Sequence, residues 1–288
     1  MKKNILITGG SGFIGSHVVD ALIKNKYKVT ILDLNQPRRK DVKFIKGSIL
    51  DKSIVQSALK NNNIIFHLAA VSDINKVKNI PKKTIETNIL GTTCLLEASR
   101  KINIKRFIFA SSVYSYGSAG NLYTTSKKSS ELIIKNYELL FGIKFTILRY
   151  TTAYGPRNRE VDAISIFVER ALKNLDLIIY GDGQQKRNYL YVEDLANGSM
   201  LAFREKTKNK IITLASKNNI KIVDLARTII KLTNSKSKIF FDKKNKRFDD
   251  FTSNYNYNNF GKTLYNWKPK YNIVNGLNKY IREKHNLF

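Results

Sequence analysis

Three side chains in the middle of the sequence have types and a spacing suited to proton transfer. Tyr123 and Lys127 are four residues apart, so on a helix their side chains share one face. A free phenol has a pKa of about 10, and ionising it near pH 7 requires about 4 kcal/mol, which one ammonium group in a partly desolvated cleft can supply. Ser112 ends an apolar run upstream of this pair. The spacing therefore predicts Tyr123 as a general base, although such a pair is common in a lysine-rich chain.

A glycine-rich stretch near the start of the chain has the pattern of a phosphate-binding turn. Gly9, Gly12 and Gly15 follow the apolar run 5–7 and precede a segment with helical spacing of apolar residues. Glycines in this arrangement bend the chain, admit an anion to backbone N–H groups and let a helix pack closely on a strand. The helix N-terminus adds unpaired donors and a partial positive charge. The stretch predicts a dinucleotide-binding site, and the prediction depends on the strand before the glycines and the helix after them more than on the glycines alone.

The next apolar run ends on an acid that fits the ribose of such a dinucleotide. Asp33 stands about twenty residues after the last glycine of the turn. A carboxylate at this place accepts both ribose hydroxyls and repels a 2′-phosphate, which favours NAD over NADP. The basic residues Arg38, Arg39 and Lys40 lie nearby and keep NADP as an alternative.

Strands and helices alternate regularly over the first half of the chain. Apolar runs predict further strands at 42–46, 63–70, 106–112 and 144–150, and helical patterns predict helices at 52–59, 84–100 and 123–141, the first capped by Asp51. This alternation predicts an α/β fold with a Rossmann-type doubly wound parallel sheet, whose ligands bind beyond the carboxyl ends of the strands. Ser112 would then lie at the same sheet edge as the glycine turn.

Beyond Tyr150 the alternation loosens. The patterns predict a helix at 163–173, a strand at 177–180, a hairpin-like turn at 181–183, a helix capped by Asp194 that runs to Phe203, and irregular structure or short strands at 237–260. Because no repeat or linker is evident, we divide the chain into a Rossmann domain over 1–152 and a smaller, mainly substrate-binding lobe over 153–288. Segments near 185–225 are expected to return to the first domain.

Composition indicates a globular, cytoplasmic protein. The chain has 288 residues, of which 42% are hydrophobic, and no apolar stretch approaches the length of about 18 residues that a membrane helix needs. The start of the chain has two lysines, but the apolar run behind them is too short for a signal peptide. Cys94 is the single cysteine, so no internal disulfide forms and a reducing compartment fits.

The net charge of +29 is compatible with binding to nucleic acid or an anionic membrane. The lysines are spread along the whole chain, however, and the densest basic groups contain no interleaved aromatic residues that would stack on bases. We therefore expect neither a nucleic-acid nor a membrane partner.

Six motifs resemble, in order, those of the extended short-chain dehydrogenase/reductases. They are Thr8–Gly15, His67–Ala70, Ser111–Ser112, the Tyr123/Lys127 pair, Arg149–Arg157 and Gly181–Asp194. A late element, Leu264–Pro269, completes the likeness over essentially the whole chain. The chain thus resembles the NAD-dependent epimerase/dehydratase family, of the UDP-glucose 4-epimerase kind.

The resemblance implies roles for individual residues. Tyr123 would be the base, Lys127 would bind the nicotinamide ribose and lower the tyrosine pKa, and Ser112 would hydrogen-bond the reacting sugar hydroxyl. The implied NAD-binding set is Gly9, Gly12, Phe13, Ile14, Gly15, Asp33, Ser48, Ile49, Leu68, Ala69, Ala70, Asn88, Tyr123, Lys127 and Tyr150. The implied substrate-binding set is Ser112, Tyr123, Thr152, Arg187 and Arg247, with the two arginines on the diphosphate. No metal is expected.

The reaction that the resemblance implies is inversion at C4 of a UDP-hexose, through a 4-keto intermediate and with NAD retained. A homodimer through the helices near 84–100 and 123–141 is implied as well. Two alternatives stay open, a net NAD(P)-dependent reductase or dehydrogenase of nucleotide-diphosphate sugars and a non-catalytic dinucleotide-binding protein.

Several positions depart from the family pattern. Val113 and Tyr114 follow Ser112, where dehydratases and decarboxylases of the family carry an acid, and this argues against dehydration. The other departures are a short segment between Gly117 and Tyr123, Thr152 in place of asparagine, and Ser48 in place of an aspartate that contacts adenine.

Overall fold

A computed structural model of the chain describes residues 4–117, 121–158, 162–217, 219–243 and 267–285. The chain divides into two compact units, one of Met1–Tyr150 with Ser199–Thr213, the other of Thr151–Gly198 with Leu214–Phe288. Ser199–Thr213, which belongs to the first unit, lies within the range 185–225 from which returning segments are predicted.

The strands and helices described are as follows. The strands are β1 (Asn4–Thr8), β2 (Lys28–Asp33), β3 (Lys43–Lys46), β4 (Ile64–His67), β5 (Arg106–Ser112), β6 (Phe145–Tyr150), β7 (Thr152–Tyr154), β8 (Leu177–Tyr180), β9 (Lys186–Arg187), β10 (Tyr189–Tyr191), β11 (Lys210–Leu214), β12 (Ile220–Lys221) and β13 (Ile239–Asp242). The α-helices are α1 (Phe13–Lys24), α2 (Lys52–Leu59), α3 (Ile74–Val77), α4 (Pro81–Ile85), α5 (Gly91–Arg100), α6 (Leu122–Phe141), α7 (Ala163–Leu172), α8 (Val192–Ser199), α9 (Ile222–Thr233) and α10 (Ile273–His285).

A seven-stranded sheet in the order β11-β6-β5-β4-β1-β2-β3 forms the centre of the first unit. Each neighbouring pair from β6 to β3 is parallel. The order 3-2-1-4-5-6 is that of doubly wound dinucleotide-binding folds, so the predicted fold class is confirmed. The central strands are buried along nearly their whole length, which explains their near-continuous apolar sequences.

Helix boundaries in this unit follow local capping chemistry. The Asp51 carboxylate accepts hydrogen bonds from the N–H groups of Ser53 and Ile54, as the cap predicted for α2 requires. The Asn121 side chain caps α6 in the same way, and that helix ends at Gly142, which has a left-handed φ of 69°.

The helix predicted over 84–100 differs from the prediction. It begins earlier, at Pro81, whose ring suits the first helical position. A π-helical turn, Glu86–Leu90, then separates α4 from α5. The turn holds Asn88, whose side chain bonds the backbone of Val71, and such non-local partners leave no periodic signal in the sequence.

Among its described residues, the second unit contains three two-stranded sheets, β7 with β10, β9 with β12, and β8 with β13. The turn at 181–183 is therefore not a hairpin, because the strands on either side of it pair elsewhere. A tyrosine-rich core lies between helices α7, α9 and α10 and includes Tyr154, Tyr189, Tyr191 and Tyr280.

The predicted cap at Asp194 is wrong. Asp194 lies inside the first turn of α8, and its Oδ2 accepts a hydrogen bond from the N–H of Tyr271 at 2.8 Å. The helix ends at Ser199, and a 3-10 helix, Met200–Phe203, continues to the predicted end. Across the part of the chain that the structure describes, no helix is long and apolar enough to span a bilayer.

Candidate active site

The turn after β1 is shaped by close backbone contacts that only glycine allows. Gly9 has a φ of +75°, and a Cβ atom on Gly15 would lie 2.0 Å from the Gly9 carbonyl oxygen. Helix α1 begins directly after Gly12, which offers no side-chain cap to the first turn of the helix. The leading N–H groups of α1 can therefore bind an anion, as the pyrophosphate of a dinucleotide requires.

Asp33, at the end of β2, lies beside this turn. Its Oδ2 accepts a hydrogen bond from the Ser11 N–H at 2.9 Å, and its Oδ1 accepts one from the Asn35 N–H at 3.0 Å. Each carboxylate oxygen keeps a second lone pair for a ribose hydroxyl. Arg39 is paired with Asp20 and Asp41 at 2.9 and 2.5 Å, so this nearby guanidinium is already engaged by carboxylates. These contacts fit NAD better than NADP.

The remaining members of the implied NAD-binding set differ in exposure. Phe13, Ile14, Ser48, Leu68, Ala69 and Ala70 are half-buried, whereas Ile49, Asn88 and Tyr150 are buried. The end of β4 lies against the glycine turn, since a Cβ on Gly9 would lie 2.6 Å from the backbone nitrogen of Ala69. The Tyr150 hydroxyl is hydrogen-bonded to Ser199 at 2.8 Å, so its polar atom already has a protein partner.

Strand β5 and helix α6 bring the three proposed catalytic side chains together. Ser112 ends β5 and is 7% exposed, and Tyr123 lies near the start of α6. Lys127, one turn further along α6, is 3% exposed and donates from Nζ to the Ala110 carbonyl oxygen at 2.8 Å. The same Nζ lies 4.6 Å from the centre of the Phe109 ring and 5.9 Å from that of Tyr123.

Burial dominates the electrostatics of this group. It raises the pKa of Tyr123 to about 12, although the neighbouring Ser112 side chain acts in the opposite direction. It lowers the pKa of Lys127 to about 7, against the attraction of the Glu131 carboxylate. We expected Lys127 to lower the tyrosine pKa, but a desolvated ammonium group bonded to the Ala110 carbonyl does not overcome the burial of the phenol. Further positive charge must therefore arrive with the ligands before Tyr123 can ionise near neutral pH.

A buried ion pair beneath this group was not foreseen. Arg149 donates from Nε and Nη2 to the two Glu131 carboxylate oxygens at 2.9 and 2.6 Å, and Ser111 donates to the same carboxylate at 2.5 Å. The guanidinium also lies 4.2 Å from the centre of the Tyr116 ring. Glu131 follows Lys127 by one helical turn, and that spacing was the only sequence signal. The pair fixes the end of β5 to α6 and β6.

Replacing Glu131 with glutamine is expected to destabilise the fold by about 3 kcal/mol, because it leaves the largely buried Arg149 guanidinium without its counter-charge. Urea unfolding measures the change. Glu138→Gln is the matched control on the same helix, since its partner Lys144 is 39% exposed, and it should cost less than about 1 kcal/mol. Equal effects of the two substitutions would contradict a structural role for the buried pair.

The structure places Asn88 within the π-helical turn rather than at an open surface. Its Oδ1 accepts from the Val71 N–H at 2.7 Å, and its Nδ2 donates to the Val71 carbonyl oxygen at 3.0 Å and to Ser126 Oγ at 2.9 Å. The residue thus joins the segment after β4 to helix α6.

Two of the proposed substrate-binding residues, Thr152 and Arg187, lie in the second unit and not in the seven-stranded sheet. Thr152 begins β7 and is half-buried, and Arg187 ends β9 and is 7% exposed. Arg187 donates from Nη1 to the carbonyl oxygen of Lys186 at 3.2 Å. Arg247 lies outside the described residues. Within the described ranges, no cluster of three histidine, cysteine, aspartate or glutamate side chains could hold a metal ion.

Comparison with known proteins places this site in context. A family model described as the NAD dependent epimerase/dehydratase family matches residues 5–215. A UDP-N-acetyl-alpha-D-glucosaminuronate decarboxylase from Bacillus cytotoxicus is 35% identical over 268 residues, which cover 83% of each chain. A putative UDP-glucose 4-epimerase from Methanocaldococcus jannaschii is 37% identical over 245 residues, 77% of this chain and 79% of the relative. Among solved structures, the UDP-glucose 4-epimerase of Thermotoga maritima with UDP-glucose superposes with a TM-score of 0.88 at 29% identity, over 99% of both chains.

Proposed function

The chain belongs to the NAD-dependent epimerase/dehydratase family, and on this premise we propose that it inverts C4 of a UDP-hexose, with Tyr123 as the base. The observation that carries the proposal is the grouping of Ser112, Tyr123 and Lys127 at the carboxyl end of β5 and the start of α6. This grouping belongs to the same unit as the uncapped glycine turn and Asp33.

In the proposed reaction, Tyr123 takes the proton of the C4 hydroxyl and later returns a proton to the C4 oxygen. Ser112 holds the sugar oxygen through its hydroxyl, and the Lys127 ammonium group stabilises the phenolate. Bound NAD supplies the acceptor and donor of the hydride, together with the positive charge that a phenolate needs. Arg187 binds the diphosphate, so that the 4-keto sugar can rotate and present its opposite face while the nucleotide stays bound to the protein.

A decarboxylation or dehydration is the second candidate because one relative at 35% identity is a decarboxylase. The residues that follow Ser112 argue against it. Val113 is buried where those enzymes carry an acid, and the Glu131 carboxylate, which contacts the strand end, is bonded to Arg149 and Ser111. Epimerisation needs no such acid, because Tyr123 can both take and return the C4 proton while bound NAD accepts and returns the hydride.

The test is incubation of the purified protein with UDP-glucose and added NAD, followed by chromatography of the nucleotide sugars. Epimerisation predicts UDP-galactose at equilibrium and no lasting change in absorbance from NADH. A parallel incubation with UDP-glucuronate distinguishes the alternatives, since decarboxylation releases carbon dioxide and a UDP-pentose. Stoichiometric formation or loss of NADH would instead identify a net dehydrogenase or reductase and overturn the proposal.

We also propose a homodimer, through the surface formed by α4, the π-helical turn and α6. Large apolar side chains are exposed there, namely Ile85, Leu90, Leu132, Leu139 and Leu140. Helix α6 packs beside both α4 and the π-helical turn, so these residues belong to neighbouring elements of the first unit. A second copy of the same surface would bury them together.

Sedimentation is expected to give twice the mass of the chain, and Leu132→Glu is expected to give the monomer. Leu132 is 60% exposed within one chain, so the substitution should leave the fold unchanged. Leu175→Glu, at a side chain that is 47% exposed in the second unit, serves as the control and should remain dimeric. A monomeric parent chain would contradict this proposal.

A further inference from the structure

His67 is a buried titratable side chain that the proposed reaction does not use. It ends β4, is 1% exposed and lies opposite Thr8 of β1 in the register of the parallel pair. Its Nδ1 is 2.7 Å from Thr8 Oγ1, and its Nε2 is 3.0 Å from Thr92 Oγ1 on α5. Both ring nitrogens are therefore hydrogen-bonded to protein side chains although the ring is buried.

The partners of the two threonines decide the direction of these bonds. Thr92 Oγ1 lies 2.6 Å from the Asn88 carbonyl oxygen, which can only accept, so the Thr92 hydroxyl proton is used there. Thr92 must then accept from His67, and this puts a proton on Nε2. With Nδ1 unprotonated in the neutral ring, Thr8 donates to His67, and the Thr8 oxygen accepts from the Ala69 N–H at 3.4 Å.

The surroundings of the ring favour the neutral form. The aromatic rings of Phe107 and Phe109 on β5 lie 6.0 and 5.6 Å from it, centre to centre. The charged group that acts on it is the Lys127 ammonium group of α6, which repels a second positive charge, and burial together with this repulsion lowers the pKa of His67 to about 3. Thr8 and Thr92, the polar neighbours from β1 and α5, carry no charge.

The hydrogen bonds continue from Thr92 to the catalytic helix. The carbonyl oxygen of Asn88, which Thr92 engages, also accepts from Ser130 Oγ of α6 at 2.8 Å. The Asn88 amide donates to Ser126 Oγ, and Ser126 in turn donates to the backbone oxygen of Tyr123 at 2.8 Å. A continuous set of directed bonds thus links the backbone beside the glycine turn to the start of α6.

We propose that His67 is a positioning residue, held as the neutral Nε2–H tautomer between Thr8 and Thr92, which couples the glycine-turn end of the sheet to Asn88 and so to Tyr123. The tautomer provides one acceptor and one donor in fixed directions. Serine or threonine at position 67 would be too short for this span, and a charged ring would have to break the bond from Thr8.

Nitrogen NMR on protein labelled at histidine with ¹⁵N tests the tautomer without any substrate. The chain has three histidines, so His67 is assigned by comparison with the His17→Gln variant and by its protection from solvent. We expect Nε2 to show a one-bond proton coupling, Nδ1 to show none, and the ring to keep this neutral pattern between pH 5 and 9, apart from small shifts as Lys127 titrates. A protonated Nδ1, alone or in a doubly protonated ring, within that range would overturn the proposal.

Thr92→Val tests the coupling, with Thr93→Val as the matched control. Both hydroxyls bond the carbonyl oxygen four residues earlier, but only that of Thr92 also accepts from His67. Thr92→Val is expected to speed exchange of the His67 Nε2 proton with solvent at least tenfold, and Thr93→Val to leave it unchanged. Equal exchange in the two variants would overturn the proposal.

The kinetic arm rests on the proposed epimerisation of UDP-glucose. Thr92→Val is expected to lower kcat about tenfold with KM little changed, because a displaced base slows chemistry more than binding. Thr92→Ser, which keeps the hydroxyl, should restore kcat, and Thr93→Val should match the parent. Absence of turnover in the parent would reject the proposed function and leave the positioning role to the NMR result, whereas equal kcat for the two valine variants would reject the positioning role.

Discussion

Tyr123→Phe is expected to lower kcat by more than about 100-fold, because it removes the atom that exchanges a proton with the substrate. The ring still fills its place beside Lys127, so the variant should fold and retain NAD. Turnover of UDP-glucose, NAD content after purification and urea unfolding measure the three quantities. Burial raises the pKa of Tyr123 to about 12, so above pH 10 the tyrosine ionises in the unfolded parent but not in the folded one. Because Tyr123→Phe has no hydroxyl to ionise, the variant should be more stable relative to the parent above pH 10 than below it.

A tyrosine whose folded pKa exceeds its unfolded value stabilises the fold fully below about pH 10, and this contribution is lost as the pH rises towards 12. The parent should therefore lose stability between these values relative to Tyr123→Phe.

Tyr137→Phe is the matched control on the same helix. Its hydroxyl donates to Glu97 of α5 at 2.7 Å and has no role in the proposed reaction. It should keep kcat within about twofold of the parent, since no reacting atom is involved. Near-normal turnover of Tyr123→Phe would reject the tyrosine as base, and a loss in both variants would indicate disturbance of α6 instead.

Gly15→Ala is expected to cost about 3 kcal/mol of stability and to abolish retention of NAD. The added Cβ would lie 2.0 Å from the Gly9 carbonyl oxygen and 3.0 Å from the Gly10 Cα, so backbone rather than a flexible side chain has to move. Displacing α1 from β1 also moves the N–H groups that face a pyrophosphate. Urea unfolding of the ligand-free protein and fluorescence titration with NAD separate the two effects.

Gly12→Ala, three residues earlier, is the control for packing. Its Cβ would meet only the Gly9 carbonyl oxygen, at 3.3 Å, so the ligand-free protein should lose less than about 1 kcal/mol. Binding of NAD should still weaken if backbone at this turn approaches the pyrophosphate closely. Unchanged stability in Gly15→Ala would contradict the contact, and unchanged NAD affinity in both variants would place the cofactor elsewhere.

Local patterns in the sequence were sufficient for the first half of the fold. The apolar runs, the glycine turn, the Asp51 cap and the spacing of Tyr123 and Lys127 all concern neighbours along the chain, and strand order then followed from general rules for βα alternation. The family resemblance, which rests on six such motifs in order, was confirmed by the family match over residues 5–215.

Sequence reasoning failed where the partner of a residue lies far along the chain. Asp194 has the type and position of a cap, yet it accepts from Tyr271, and the glycine turn at 181–183 is no hairpin because β8 pairs with β13. Helix α10 and the π-helical turn were likewise not predicted, since their stabilising contacts come from other elements.

The sequence by itself determined which residues could perform proton transfer and that they would stand at the carboxyl ends of parallel strands. Only the tertiary structure decided their electrostatic state, because burial of a phenol and an ammonium group depends on what covers them. It likewise brought Glu131 to Arg149 and His67 to Thr92, residues 18 and 25 positions apart. Side-chain type and spacing are local properties, whereas desolvation and hydrogen-bond direction arise from the whole set of neighbours in space.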